Sequence, residues 1–196
     1  MKLPGPRLDG RRSVESALHE RRSVRDWTGM PLTLAELAQL LWAGQGITGA
    51  DGLRTAPSAG ALYPLEVYVA VGAVHGLQGG IYKYDSPDHA LTPVVGGDQR
   101  GGLAAAALGQ TCVETAAAVL AFAAVYARTT GKYEERGRRY VHQEVGHAAQ
   151  NVCLQAVALG LGTVVVGAFD DRAVKTVMKL VRGEEPLCLL SIGRAR

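Results

Sequence analysis

Residues 133–159 carry the pattern that most constrains this chain. Val141, Val145, Ala148, Val152, Ala156 and Leu159 recur at steps of three and four, so they share one face of a long helix. An apolar stripe of that length has to be covered, and the remaining sequence supplies strands to cover it. Residues 65–71 (LEVYVAV) read as a buried strand, and 81–84 with 90–94 flank Asp-Ser-Pro-Asp-His as a hairpin. Residues 116–126 read as a second core strand despite their alanines, because the run is continuous, apolar and bounded by polar residues. Short strands follow at 163–166 and 186–192, on either side of a helix capped by Asp170 or Asp171 that ends near Leu180. Earlier, Ser13 caps a helix ending near Arg21 and Arg22, and Thr33-Leu-Ala-Glu36 is a capping box for another that stops at Gly44, read as a left-handed terminating glycine. Together these predict an α+β fold, an α/β sandwich whose mixed central sheet is flanked by helices, one of them long and central.

A chain of 196 residues with 47% hydrophobic content can bury one sizeable core, so a single domain spanning 1–196 is expected. The opening MKLPGPRLDG has two prolines and no apolar core, so it does not read as a secretory signal. The longest apolar run has twelve residues, 116–127, well short of the roughly 20 that span a bilayer. A cytoplasmic protein without a membrane partner is expected. Cys112, Cys153 and Cys188 are odd in number and unpaired in spacing, which predicts buried reduced thiols. Glu144 and His147 form an E-x-x-H pair near His142, but a carboxylate-bridged metal site needs a second such pair, and no metal is expected.

The formal net charge is only +3, yet residues 1–25 hold seven basic side chains against three acidic ones. Such an excess suits a nucleic acid, a membrane surface or a phosphorylated small ligand. Interleaved aromatics that would favour nucleic acid are missing, since only Trp27 is adjacent. Three segments stand out. Arg21, Arg22, Ser23 and Arg25 place guanidiniums and a hydroxyl together, as a phosphate clamp would, although a solvated helix end explains them equally. Between two prolines, Pro57, Ser58, Ala59 and Gly60 give a stiff, unobstructed backbone that a flat ring or another chain can approach, or else an ordinary tight connection. Gly167 and Ala168 end a strand with backbone N–H groups free for an acceptor, or simply end it. The literal G-x-G-x-x-G at 44–49 is rejected as a dinucleotide fingerprint, because a helix precedes it and a proline-containing stretch follows.

In order and spacing these segments resemble the nitroreductase family of FMN enzymes, in particular its SagB-like branch of azoline-forming peptide dehydrogenases. The resemblance runs from RRSVR through LTLAELAQLLWAGQGIT, RTAPSAGALYPLEVYV, GIYKYD, KYEERGRRY, GHAAQNVCLQAVALGLG and VVGAFDD to the closing Ile-Gly-Arg. It implies FMN as cofactor, NADH or NADPH as a possible electron donor, and a homodimer with FMN at the interface. Arg21, Arg22, Ser23 and Arg25 would bind the phosphate and ribityl chain. Pro57, Ser58, Ala59 and Gly60 would come from the opposite subunit along the flavin, while Gly167 and Ala168 would present an amide to N5. Arg194 stands where a C-terminal phosphate-binding residue is expected. Ala61 replaces an Asn common in nitroreductases and matches the SagB-like branch. Lys132 and Tyr133 resemble the Lys-Tyr pair proposed to act in azoline dehydrogenases, where a base removes a proton as hydride leaves; a solvated charged loop is the alternative.

The implied activity is FMN-dependent hydride transfer through N5 in ping-pong order, on a small-molecule or peptide substrate. The rival expectations are azoline oxidation in a modified peptide and a flavin-binding module without turnover.

Overall fold

A computed structural model describes residues 1–196. Its frame is set by strand alternation. In β1 (Leu65–Val71), Val67, Val69 and Val71 enter one core while Tyr68 and Ala70 enter another. The same division holds in β4 (Ala118–Ala124), where Leu120 and Phe122 face one side and Val119 and Ala121 the other. A sheet apolar on both faces must be covered on both. One face takes α2 (Leu34–Gln45) and α6 (Arg136–Ala158), through Leu37, Leu40, Leu41, Val141, Val152 and Ala156. The other takes α3 (Arg100–Ala106), α4 (Thr111–Glu114) and α7 (Asp171–Met178). Fully burying a Leu or Phe side chain contributes about 1.5–3 kcal/mol, so Leu120 and Phe122 anchor the centre.

The hairpin strands β2 (Gly80–Asp85) and β3 (Ala90–Gly96), then β5 (Gly162–Val166) and β6 (Glu185–Gly193), complete a six-stranded sheet of order β3-β2-β1-β4-β6-β5. Every neighbouring pair is antiparallel, which corrects the expected mixed sheet. The helical crossover does make β4 and β5 run the same way. β6 then inserts between them and pairs antiparallel with both.

The capping predictions hold. Ser13 accepts from Ser16 N–H at the start of α1 (Val14–Glu20), the Thr33–Glu36 capping box is complete, and Asp170 accepts from Ala173 N–H. Two boundaries differ. The helix predicted from Tyr133 begins at Arg136 as α6, and an unpredicted helix, α5 (Tyr126–Tyr133), precedes it and ends at Glu134, φ +51°. Gly44 lies inside α2 rather than ending it, and its bareness serves packing, since a Cβ there would be 3.1 Å from the Phe122 ring and 3.2 Å from Val152. No helix is long and apolar enough to cross a membrane.

Candidate active site

Arg21 closes α1, its N–H donating to the Ala17 carbonyl at 3.0 Å, and the chain then runs extended beside β5. Ser23 bridges Thr163 in parallel, and Val24 N–H donates to Thr163 O at 2.9 Å. The approach requires Gly162, where a Cβ would lie 2.9 Å from the Val24 side chain. The basic segment and the strand leading to Gly167 are therefore fixed to each other by backbone bonds. Arg21, Arg22 and Arg25 form no ion pair; Arg22 Nη1 donates only to the carbonyls of His19 and Arg21, at 2.8 and 2.7 Å.

Where β5 ends, Gly167 and Ala168 are exposed and their N–H groups donate to nothing within the chain. The exit is nonetheless held, because the Ala168 carbonyl accepts from Gln110 Nε2 at 3.0 Å and Asp170 N–H donates to Ala106 O at 2.9 Å. A Cβ at Gly167 would meet nothing within 4 Å. Gly167 and Phe169 line a cleft of about 490 Å³ with Tyr126, Arg138 and His142. There Tyr126 Oη and His142 Nε2 are 2.5 Å apart, and Arg138 lies 4.5 Å over the Tyr126 ring. Burial pushes the Tyr126 hydroxyl up, opposed by the Arg138 charge.

Arg194 follows the end of β6 beside Gly162, at the opposite end of β5 from Gly167, with Thr28 N–H donating to its carbonyl at 3.0 Å. Its guanidinium is already paired, however, with both oxygens of Glu36 at 2.9 and 3.0 Å. The free cations here are Arg21, Arg22 and Arg25.

The proline-flanked segment forms a second cluster. A single 3-10 turn, Ala59–Ala61, follows Ser58, whose Oγ accepts Tyr63 N–H at 2.9 Å. Tyr63 Oη in turn accepts Arg54 N–H at 3.2 Å. A Cβ at Gly60 would lie 2.8 Å from Tyr133 Oη and 3.1 Å from Lys132 Nζ. The structure thus brings the 57–60 loop together with Lys132 and Tyr133, residues far apart in sequence. No hydrogen bond or ion pair joins this cluster to the one around Arg21 and Gly167.

Sequence reasoning missed Glu144 as a site residue. It is buried under Ser58, and burial pushes its carboxyl up to about 7, opposed by the Ser58 hydroxyl and the Arg54 charge. A signal existed, for Glu144 is three residues past Val141 and four before Ala148, a charge inside the apolar stripe. A larger concavity, about 850 Å³, lies elsewhere, between the 5–14 arm, α2 and the end of α6.

An antiparallel sheet between helical layers, a basic strand-like segment bonded to β5 and bare backbone at two loops define an oxidoreductase of nitroreductase architecture. A family model described as the Nitroreductase family matches residues 18–194, and the chain belongs to that family. A curated relative from Methanocaldococcus jannaschii, provisionally named a nitroreductase, is 49% identical over 181 residues, 92% of this chain and 90% of the relative. A crystal structure from Ralstonia eutropha, also provisionally a nitroreductase, superposes at TM-score 0.86 with 33% identity, covering 100% of this chain and 89% of that one. Another from Anabaena variabilis gives 0.83 and 32% over 93% of this chain, which spans only 38% of that longer protein. The Escherichia coli microcin synthetase complex with truncated pro-MccB17 bound contains a chain matching at 0.78 and 25%, over 92% of this chain and 73% of that one.

Proposed function

We infer that the chain is an FMN-dependent oxidoreductase working as a homodimer, with FMN at the subunit interface. The observation that carries this is the bonding of the basic segment to β5 at Ser23, Val24 and Thr163, which ties three guanidiniums that form no ion pair to the strand that ends in two unused amides. That donor set fits a flavin phosphate and an electron-rich ring atom. It would be met by Arg21, Arg22, Ser23 and Arg25 at the phosphate and ribityl chain and by the Gly167 and Ala168 amides at the ring. Pro57, Ser58, Ala59 and Gly60 would come from the other subunit, which accords with the lack of any bond between the two clusters within one chain. When bound, FMN supplies an N5 atom that accepts and returns hydride in ping-pong order. The protein's part is to anchor the anionic tail, hold the ring and exclude water from it.

Two features favour the SagB-like reading within this class, in which an azoline of a modified peptide is oxidised. Ala61 stands in place of a ring-contacting Asn, and Lys132 with Tyr133 converges on Gly60, where a base at a flavin-facing loop would sit. The similarity to a microcin synthetase chain agrees with it. Reduction of nitroaromatics or quinones by NADH or NADPH is the other direction.

Purified protein should be yellow, or become so with FMN. Arg22→Ala should weaken FMN binding roughly 10- to 100-fold, the value of one charge-assisted contact, measured by quenching of flavin fluorescence; unchanged affinity would move the phosphate elsewhere. Anaerobic stopped-flow separates an enzyme from a flavin-binding module, since bound FMN neither reduced by NADH or NADPH nor reoxidised by nitrofurazone, quinone or oxygen would leave binding alone.

A further inference from the structure

Glu144 sits in the apolar stripe of α6, 2% exposed, with no hydrogen-bond partner for Oε1. A buried carboxyl without partners is costly, so its neighbours show what holds it there. The Ser58 hydroxyl lies beside it. The same Ser58 oxygen clamps Tyr63 N–H across a segment in which Gly60, Ala61 and Tyr63 take φ +64°, +54° and +45°. Left-handed backbone is unfavourable for Ala and Tyr, and such a loop keeps its shape only if its surroundings over-determine it.

Those surroundings centre on the carboxyl. Arg54 faces it with the one full charge acting on it; its Nη1 donates to Gln45 Oε1 at 2.8 Å and its guanidinium lies 4.6 Å over the Tyr63 ring. Gln45 is fully buried, with Nε2 unpartnered. From α5, Lys132 and Tyr133 approach the loop across Gly60, and buried Thr129 Oγ1 is unpartnered too.

We propose that Glu144 is the positioning residue of the 57–63 loop, its carboxyl between Ser58 and Arg54 fixing the backbone shape that the loop presents. That the loop faces FMN rests on the reading above; that Glu144 shapes it does not. Since burial pushes this carboxyl up to about 7, both protonation states are within reach near neutrality. The neutral form is at home in the apolar stripe. The ionised form is favoured by the Ser58 hydroxyl and the Arg54 charge but is starved of water there, so any opening of the loop that lets water reach the carboxylate becomes easier as pH rises.

Glu144→Gln keeps the shape and removes the titration, and Glu144→Met does so without polar atoms. In apo wild type, exchange protection of the Tyr63 amide, corrected for intrinsic rate, should fall roughly 5-fold from pH 6 to pH 8 and stay level in both variants. FMN affinity should weaken over the same range by roughly 5-fold more in wild type than in either variant. The titration of the FMN phosphate is common to all three proteins and cancels. Equal pH dependence of Tyr63 protection in wild type and variants overturns the proposal. A protein that refuses FMN but shows the pH-dependent amide keeps the proposal and removes the flavin reading.

Discussion

With its carboxyl raised from an ordinary value near 4.5 to about 7, Glu144 makes stability depend on pH in a defined sense. A group raised on folding contributes fully below its unfolded value, and the contribution is lost as pH climbs through the folded one. Relative to Glu144→Gln, the wild type should lose up to about 3 kcal/mol between pH 5 and pH 8, read from urea unfolding at each pH. A constant difference would mean that the carboxyl is solvated. At this scale the sequence was informative where chemistry is local. Arg21, Arg22, Ser23 and Arg25 are neighbours in the chain and remain neighbours in space. The resemblance singled out Lys132 and Gly60 separately, but their approach was not legible, because it depends on how α5 meets the loop. Arg194 was expected at the phosphate from resemblance, whereas its pairing with Glu36 joins residues 158 apart and left no local trace.

Between elements, α5 and α6 form a hairpin whose tightness depends on Gly137. A Cβ there would lie 3.0 Å from the Thr129 carbonyl carbon and oxygen, which are backbone atoms and cannot turn aside. Gly137→Ala should therefore push the hairpin open, costing roughly 1–3 kcal/mol by thermal unfolding. It should also shift the amide resonances of Lys132 and Tyr133 at the end of α5. A variant with wild-type stability and spectra would show that the helices have room. The periodicity of residues 141–159 revealed α6 but not its start, because 126–135 lacks the apolar repeat and the break rests on a positive φ at Glu134. Helices α3 and α4 went unread, one opening on Arg-Gly-Gly and the other only four residues long, both too weak as local signals.

For the whole molecule, the two clusters of one chain make a test of subunit sharing. If a site takes its cations from one copy and its loop from the other, Arg22→Ala mixed with Gly60→Val should regain activity that neither homodimer has. After refolding an equal mixture, roughly a quarter of sites should be intact. No recovery, with mixed dimers verified by mass, would place both clusters at one copy's site. The layered architecture was legible because strands apolar on both faces demand helices on both. Strand direction was not, because a helical crossover predicts parallel neighbours and says nothing of a later strand entering between them.

That late entry matters while the polypeptide is being made. As β5 leaves the ribosome one of its edges has no strand to pair with, and β4 shows one bare edge, until 185–193 arrives to join the two. A nascent protein of this design carries a gap in its sheet through the translation of α7, an interval in which chaperones or misplaced strands compete for the opening.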